Sequence, residues 1–557
     1  MKKIQPAAIG TIFVFLFLTS GVSASTEYQQ WLDEAYPADG PGAAVIVVKD
    51  NEVVFRSASG MADMELNVPL TPENVFRLGS ITKQFTASAI LLLEEQGKLS
   101  IGDNINKYLP DYPTQGHAIK IEHLLSHTSG VFNYTHIPGY IDGGEIRKDL
   151  TTEELITVFE NLPMDFAPGE QFGYSNSGYV LLGAIIEKVS ELSYAEFIQI
   201  NIFDKLEMKN SYYGGPQIIL NRAKGYEGEV GNYSNADFLS MTQPHAAGSL
   251  LSTVDDMAIW SSALFGGKLL SKESLKKMTT GYKLNNGEIS GFGFGSVGFG
   301  FLIRERFGEK EITHGGAIPG FRTQGIWLPE SNVYVVVLSN ILGRGARFLS
   351  SRLAFDAAGT DYPKHTAINI DPNTLDEYQG VYRINENEKY SIIADDGHLY
   401  IQTTGKGRDE IIPHAEDKFF LERDPFIHLA FNRDREGNIN SFDYYSNGSD
   451  KAQSNVRESD LPENKNKPIK VSAELYDLLE GSYALETGLI YKIRRDDSRL
   501  LTQLGSQAEF EFFPLSKTRY FAKQVDAEIQ FSLGDDGRAE TVTLYQNGDE
   551  TVGNRVE

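Results

Sequence analysis

Hydrophobic residues follow a helical spacing in two segments, at residues 81–93 and 175–189. In each segment, apolar side chains recur every three or four positions, which is the spacing of one face of an α-helix. The first segment follows Gly79 and is closed by Gly97, a residue that suits the end of a helix. The pattern therefore predicts two helices, each with at least one buried face.

Other segments have the continuous or alternating pattern of β-strands. Residues 44–48 and 53–55 are apolar and flank a polar turn, which predicts an antiparallel hairpin. Residues 333–338 predict a buried strand. The glycines from Gly291 to Gly300 alternate with phenylalanines, which is typical of closely packed strands and not of a nucleotide-binding loop. We predict an α/β (α+β) fold here, with an antiparallel sheet flanked by helices.

The C-terminal part of the chain contains an internal repeat with a spacing of 101 residues. Gly380, Pro413 and Phe420 recur as Gly481, Pro514 and Phe521. After the loss of one residue the spacing becomes 100, as between Phe431 and Phe531. Self-similarity over so many positions indicates a duplicated domain. Short alternating strands between turn residues predict that each copy is a small antiparallel β-barrel.

Polar and proline-containing segments divide the chain. We predict a first domain at residues 25–362, a first barrel at 363–465 and a second barrel at 466–557, with a linker near residues 462–468. Residues 1–24 are predicted to be a signal peptide, because two lysines precede a short apolar stretch that ends in small residues. We expect cleavage after Ala24 and a periplasmic or secreted mature protein.

Composition narrows the classes of partner. The net charge is −25, and removal of residues 1–24, which hold two lysines and no acidic residue, makes it −27. Such a charge repels nucleic acid and anionic lipid. The chain has no cysteine, so we expect neither disulfides nor a lipid anchor. We expect a small-molecule or short-peptide substrate, no nucleic-acid partner and no membrane anchor in the mature chain, and the sequence leaves the oligomeric state open.

His123 and His127 have a spacing that suits a metal ion on a helix. No acidic residue or cysteine follows them at ligand spacing, so we interpret both as buried, hydrogen-bonded histidines. The sequence also has no His-Glu-x-x-His motif and no phosphate-binding Gly-Lys-Ser or Gly-Lys-Thr motif. We therefore expect no metal and no cofactor.

Ser80 and Lys83 stand three positions apart where the first helix is predicted to begin. Side chains with this spacing share a helix face, with Cβ atoms roughly 5–6 Å apart, so the lysine can reach the serine hydroxyl. A helix N-terminus favours a developing alkoxide, and a lysine in a dry site can act as a base. The alternative is that Ser80 is a helix N-cap and Lys83 a surface lysine.

Five longer stretches in a fixed order place this serine in a wider pattern. They are residues 76–86, 123–130, 168–179, 247–253 and 314–321. Through them, residues 43–340 resemble the serine β-lactamase and penicillin-binding-protein superfamily, in its β-lactamase-related, peptidase S12-like branch. The resemblance implies that residues 25–362 are a β-lactamase-like catalytic domain. Such a domain followed by two lipocalin-like β-barrels is similar to the architecture of D-aminopeptidases in this superfamily.

The resemblance also implies a role for each matching residue. Ser80 would be the acylated nucleophile, with Lys83 and Tyr174 sharing the proton transfer. Asn176 would hydrogen-bond the lysine and the substrate amide. The backbone N–H groups of Ser80 and Ala317 would form an oxyanion hole, where each donor typically contributes about 10²–10³ in rate. Which of Lys83 and Tyr174 is the formal base stays open at this point.

The third motif, His314-Gly315-Gly316, departs from that of true β-lactamases and many penicillin-binding proteins. In those proteins a lysine and a hydroxyl residue hold the substrate carboxylate. Gly315 has no hydroxyl, and His314 is only partly cationic near neutral pH, so the recognition of penicillins is in doubt. The His-Gly-Gly form is similar to that of D-aminopeptidases and carboxylesterases. We assign His314 to the catalytic site and Gly315 and Gly316 to substrate binding, with a purely structural His314 as the alternative.

These residues predict a serine hydrolase that works through an acyl-enzyme on Ser80. The resemblance favours D-aminopeptidase or DD-peptidase-like hydrolysis of an amide or peptide. One alternative is a carboxylesterase of the β-lactamase-like type. The other is a catalytically silent binding protein on the same fold.

Overall fold

The computed structural model shows an α/β domain followed by two closed β-barrels. It describes residues 20–141, 144–292, 295–343, 345–385, 388–395, 397–404, 407–421, 424–446, 451–461, 468–485, 489–505, 509–523, 527–534, 536–546 and 549–556. Residues 1–19 of the predicted signal peptide and residues 462–467 of the predicted linker lie outside these ranges. The predicted cleavage position after Ala24 falls within a helix, Ser20–Ala35.

An antiparallel sheet forms the centre of the first domain. The fifteen strands of this domain among the described residues are β1 (Ala43–Lys49), β2 (Glu52–Ser59), β3 (Met61–Asp63), β4 (Val68–Pro69), β5 (Phe76–Arg77), β6 (Tyr212–Tyr213), β7 (Tyr226–Glu229), β8 (Asn232–Asn235), β9 (Leu250–Ser252), β10 (Gly291–Phe292), β11 (Gly295–Val297), β12 (Leu302–Arg306), β13 (Glu309–Ile318), β14 (Phe321–Leu328) and β15 (Val333–Ser339). Eight of them form the main sheet in the order β10-β11-β12-β13-β14-β15-β1-β2, while β5, β9 and β6 form a small second sheet. The predicted buried strand at residues 333–338 is confirmed as β15.

Helices cover both faces of the main sheet. They are α1 (Ser20–Ala35), α2 (Thr82–Glu95), α3 (Ile121–Leu125), α4 (Thr152–Thr157), α5 (Asn176–Ser190), α6 (Tyr194–Ile198), α7 (Asp204–Leu206), α8 (His245–Gly248), α9 (Val254–Phe265), α10 (Lys272–Met278) and α11 (Gly345–Ala358). The two helices predicted from periodicity are confirmed as α2 and α5. Within the ranges given above, no helix is both long and apolar enough to cross a membrane.

Strand β1 shows why the sheet is covered on both sides. Ala44 and Ile46 point into the larger core, which α2, α5 and α9 complete. Val45 and Val47 point the other way, into a second core formed with α1 and α11. Successive side chains of a strand face opposite sides, so a continuous apolar run requires two buried faces.

The predicted first hairpin is confirmed as β1 and β2. Its two turn residues, Asp50 and Asn51, have φ angles of 51° and 64°. Two consecutive residues with positive φ are typical of the tight turns that match the twist of antiparallel strands. Aspartate and asparagine tolerate this left-handed backbone better than most residues.

The internal repeat is confirmed as two barrels of eight antiparallel strands each. The first contains β16 (Gly380–Arg383), β17 (Lys389–Asp395), β18 (His398–Thr403), β19 (Arg408–Ala415), β20 (Lys418–Leu421), β21 (Asp424–Arg433), β22 (Ile439–Tyr445) and β23 (Gln453–Ser459). The second follows helix α12 (Ala473–Leu479) and contains β24 (Gly481–Leu485), β25 (Ile490–Asp496), β26 (Arg499–Leu504), β27 (Phe510–Pro514), β28 (Arg519–Ala522), β29 (Ala527–Leu533), β30 (Ala539–Gln546) and β31 (Asp549–Arg555). Both barrels keep one tyrosine contact: Tyr382 and Tyr483, 101 residues apart, each donate a hydrogen bond to the carbonyl four residues earlier.

The first barrel packs directly on the α/β domain. Phe426, at the start of β21, lies in the second core of that domain, against Phe355 and Tyr362. The guanidinium carbon of Arg306 lies 4.8 Å from the centre of the Phe426 ring. Buried cation–aromatic contacts of this kind contribute about 2 kcal/mol. The barrel is thus attached by a shared core as well as by the chain.

Candidate active site

Ser80 lies in a short 3₁₀ turn, Gly79–Ile81, that leads directly into α2. The expectation that Ser80 opens the helix is corrected by two residues, since α2 begins at Thr82. The N-cap positions of the 3₁₀ turn and of α2 are Leu78 and Ile81, so the interpretation of Ser80 as an N-cap is wrong. Gly79 has a φ of +54°, and a Cβ there would lie 3.1 Å from the amide nitrogen of Ala317. Glycine therefore allows both the turn and the close approach of strand β13.

Lys83 is fully buried, which excludes the alternative of a surface lysine. Its Nζ lies 3.3 Å from Oγ of Ser80. The same Nζ donates hydrogen bonds to Oδ1 of Asn176 at 2.8 Å and to the carbonyl of Ala247 at 2.9 Å. Burial lowers the pKa of Lys83 well below its ordinary value, because loss of water disfavours the charged amine.

Tyr174 is the third group at the serine. The centre of its ring lies 4.9 Å from Nζ of Lys83, and Ser80 is close enough to oppose part of the rise in the pKa of its phenol. Burial raises the pKa of the Tyr174 phenol, so it is protonated at neutral pH. Tyr174 stands just before α5, where Ser175 caps the helix by accepting a hydrogen bond from the Gly178 amide. The cap fixes the chain direction on either side of the tyrosine.

Asn176 is the first residue of α5, and both ends of its side chain have partners. Oδ1 accepts from Lys83, and Nδ2 donates to Oγ1 of Thr135 at 3.3 Å. Its backbone amide donates to Oδ1 of Asn133 at 3.1 Å. These contacts orient the amide oxygen toward the lysine.

Strand β13 brings the third motif to the same place. Its first part pairs with β12 as far as Thr313, so residues 314–318 have no strand partner on that side among the described residues. This open edge faces the turn that carries Ser80, with Ala317 beside Gly79. A Cβ on Gly316 would lie 2.0 Å from the carbonyl oxygen of Leu78, so only glycine fits there. The backbone amides of Ser80 and Ala317 are thereby neighbours, as an oxyanion hole requires.

His314 lies at the other end of this edge, with its ring centre 6.5 Å from that of Tyr174. Nδ1 is 2.7 Å from the carbonyl oxygen of Gly315. Burial, with a smaller contribution from Lys83, lowers the pKa of His314 to about 4. His314 is therefore neutral at physiological pH and offers no cation to a carboxylate.

The sequence did not indicate the part that His127 plays. Its ring stacks on Tyr174 with centres 4.3 Å apart, and its Nδ1 accepts a hydrogen bond from the Ser175 amide at 3.1 Å. His123 accepts a hydrogen bond from the Lys120 amide. Both histidines are buried and hydrogen-bonded, as predicted. In the described part of the chain, no group of three or more histidine or acidic side chains could hold a metal ion.

Two family models match the chain. A β-lactamase family model matches residues 32–358, and a domain of unknown function, DUF3471, matches residues 364–458 and 465–555. The first match contains every candidate site residue. The second occurs once for each barrel.

Two curated relatives are similar to this chain in sequence. Penicillin-binding protein 4* of Bacillus subtilis (strain 168) is 29% identical over 430 residues, covering 73% of this chain and 93% of that protein. The D-aminopeptidase of Gluconobacter oxydans (strain 621H) is 28% identical over 329 residues, covering 58% of this chain and 60% of that protein.

Solved structures share the fold. The octameric penicillin-binding protein homologue from Pyrococcus abyssi is 27% identical with a TM-score of 0.55, covering 78% of this chain and 100% of that one. The D-amino acid amidase from Ochrobactrum anthropi SV3 in complex with L-phenylalanine amide is 23% identical with a TM-score of 0.53, covering 60% of this chain and 99% of that one. The latter likeness shows the fold alone.

Proposed function

Because this chain belongs to the β-lactamase family and is a serine hydrolase of the β-lactamase and penicillin-binding-protein superfamily, we propose that it hydrolyses a small amide or peptide through an acyl-enzyme on Ser80. The observation that carries the proposal is the placement of Lys83, fully buried and 3.3 Å from Oγ of Ser80. A serine becomes nucleophilic only when a neighbouring base takes its proton, and this amine is the nearest candidate.

Lys83 is the better base of the two candidates. Burial disfavours the charged form of the amine and lowers the pKa of Lys83 well below its ordinary value, whereas burial raises the pKa of Tyr174 and keeps the phenol protonated. A neutral amine has two N–H bonds, and two carbonyl oxygens, those of Asn176 and Ala247, accept them. Its lone pair is then directed at the Ser80 hydroxyl.

The reaction follows from these positions. Lys83 takes the hydroxyl proton as Ser80 Oγ attacks the substrate carbonyl, and the oxyanion lies between the amides of Ser80 and Ala317. Tyr174 passes its proton to the leaving amine as the carbon–nitrogen bond breaks and takes up in turn the proton that Lys83 accepted, so the lysine is neutral again. Water then attacks the acyl-enzyme with the same base, releasing the acid and restoring Ser80.

The substrate class follows from His314. A neutral imidazole at the Tyr174 end of β13 offers no charge partner to a carboxylate on the leaving-group side. This favours substrates with an uncharged leaving group, such as amides of D-amino acids. The name of the D-aminopeptidase relative supports the D-configured class. The same neutrality favours short acyl esters as the second candidate.

The test is intact mass spectrometry after exposure to a fluorophosphonate. We expect one adduct on the wild-type protein and none on Ser80→Ala. Absence of an adduct on the wild type would overturn the hydrolase proposal in favour of a silent binding protein. Values of kcat/KM on D-alanine p-nitroanilide and on matched phenyl esters of D-alanine then separate peptidase from esterase.

We also propose that the protein is exported and cleaved after Ala24. The support is the basic and apolar pattern of residues 1–24. Expression of the full chain followed by N-terminal sequencing tests this, and a mature protein that begins at Met1 would contradict it.

A further inference from the structure

A cavity of about 420 Å³ lies beside the catalytic edge of β13. Its volume is within the range of sites that bind small molecules. Pro319 and Phe321, which follow Ala317 at the turn between β13 and β14, form one wall. Arg77, three residues before Ser80, and Arg222 also line it. The cavity is therefore bounded by the two segments that carry the oxyanion donors.

Arg77 and Arg222 are an unusual pair. Neither guanidinium has an ion pair or a side-chain hydrogen bond within the described ranges, and Arg77 has only a cation–aromatic contact, 5.7 Å from the centre of the Phe321 ring. The two are close enough that Arg222 reinforces the effect of burial in lowering the pKa of Arg77 to about 10. Two neighbouring guanidinium groups repel each other, and burial further disfavours the charge of Arg77.

The carboxylates and the other cation at this cavity already have partners. Asp237 is bound by Arg147 at 2.9 Å, and Asp63 accepts a hydrogen bond from the Leu66 amide. Lys224 forms an ion pair with Glu65. Among the described residues, the charges of the cavity without an ion pair are therefore the two arginines and Asp63, and their sum is positive.

The direction of the substrate links the cavity to the reaction. Tyr174 lies near His314, at one end of the open edge, so the leaving group that it protonates lies at that end. With the carbonyl oxygen at Ala317, the acyl part of the substrate runs the other way, toward Pro319 and Phe321. It therefore points to the Arg77–Arg222 cavity.

We propose that this cavity binds a carboxylate on the acyl part of the substrate. The inference rests on the proposed function, because the substrate direction depends on Ser80 as the nucleophile. Arginine binds carboxylates in a planar, two-pronged geometry that matches such a group. The substrates would then be acyl donors that are anionic on the acyl side and uncharged on the leaving-group side.

The experiment measures protection of Ser80 from a fluorophosphonate by two matched ligands. N-succinyl-D-alaninamide carries the carboxylate, and N-succinamoyl-D-alaninamide carries a neutral amide in its place. We expect the succinyl compound to protect at about 10- to 100-fold lower concentration, the effect of a hydrogen bond to a charged group. In Arg222→Gln and Arg77→Gln we expect this ratio to fall toward one. Lys272→Gln, the same charge change at an exposed position on α10, should keep the wild-type ratio.

The outcomes distinguish a failure of the hydrolase proposal from a failure of the carboxylate site. If the wild type gives no fluorophosphonate adduct, the hydrolase proposal fails and this inference fails with it. If Ser80 is labelled but both ligands protect equally, only the carboxylate site is overturned. A ratio that survives in both arginine variants would mean that the carboxylate binds elsewhere. Should Arg77→Gln fail to fold by circular dichroism, Arg222→Gln, whose side chain is exposed, still decides the question.

Discussion

Oδ1 of Asn176 accepts a hydrogen bond from Nζ of Lys83 at 2.8 Å and thereby stabilises a neutral amine without supplying a charge. A carboxylate at the same place would do the opposite. In Asn176→Asp we expect the pKa of Lys83 to rise, because an opposite charge at this distance favours the ammonium form. The acid limb of the kcat/KM profile should move to higher pH by about 1–3 units.

The control is Asn176→Ala, which removes the acceptor without adding a charge. We expect it to lower kcat/KM by about 10², an effect typical of a lost active-site hydrogen bond, and to leave the acid limb at the same or a lower pH. An unchanged profile in Asn176→Asp would argue against Lys83 as the base.

The neutral state of His314 predicts weak discrimination between benzylpenicillin and its methyl ester. The carboxylate of penicillin lies on the leaving-group side of its amide bond, where the described residues supply no cation. We expect the two compounds to acylate Ser80 at rates within about threefold, because no charge-assisted hydrogen bond distinguishes them. A large preference for the free acid, measured by intact mass over time, would show that a cation is present after all.

The stacking of His127 on Tyr174 predicts a role in positioning the phenol. His127→Asn keeps a hydrogen-bond acceptor and tolerates the positive φ of 58° but removes the ring. We expect kcat to fall by about 10-fold with little change in KM, since a misplaced proton donor affects the transition state more than binding. Because burial holds the pKa of His127 well below its ordinary value, the shape of the pH profile should not change.

We expect the addition of a single methyl group at Gly316 to impair catalysis severely. In Gly316→Ala the new Cβ would lie 2.0 Å from a backbone oxygen, so either β13 or the turn at Ser80 has to move. We expect kcat/KM to fall by at least about 10², the value of one oxyanion donor. Gly343→Ala, where no atom lies within 4 Å of the new Cβ, should keep wild-type activity.

Three neighbouring histidines predict that acid lowers the stability of the first barrel. His365 lies in the segment before the barrel, and His414 and His428 lie in strands β19 and β21. His365 lies 4.0 Å from His414 and 5.2 Å from His428 between ring centres, and Lys418 adds a further positive charge to the surroundings of His414 and His428. Burial, then His414 and His428, lower the pKa of His365 to about 4. Folding therefore favours the neutral ring.

The lowered pKa of His365 makes the folded protein less stable in acid. Above pH 6.5 the ring is neutral in both states, whereas between pH 6.5 and 4 the unfolded chain takes up a proton that the folded barrel excludes, so stability falls on acidification. His365→Phe keeps the stack on Phe420 and removes the proton site. Between pH 7.5 and 5 we expect the melting temperature of the wild type to fall. That of His365→Phe should fall by about 2–4 °C less. His398→Gln, at an exposed site in the same barrel, should behave like wild type.

The periodic parts of this fold were predictable from sequence, because local spacing determines them. Helices α2 and α5, the hairpin of β1 and β2 and the duplicated barrels all depend on contacts between near neighbours or on repetition. The start of α2 was misplaced because the 3₁₀ turn at Ser80 depends on the left-handed Gly79 and on β13, more than 200 residues later.

The site was predictable in its residues and not in its electrostatics. The motif spacing placed Ser80 and Lys83 together, but the choice of Lys83 over Tyr174 as the base rests on burial, which lowers the pKa of the amine and raises that of the phenol. The carbonyl of Ala247, 164 residues from Lys83, completes the lysine site without a side chain that sequence could mark. The stacking of His127 on Tyr174 likewise arises only when two distant loops meet.

The insertion of Phe426 into the core of the α/β domain has a consequence for how this chain can be divided. A chain that ends at residue 362 would lack Phe426, whose ring contacts Phe355 and Arg306. Its loss would expose an apolar surface beside a buried cation. The catalytic part would then become prone to aggregation even with every reactive group present. We therefore expect a stable catalytic fragment to need β21 as well as the catalytic sequence.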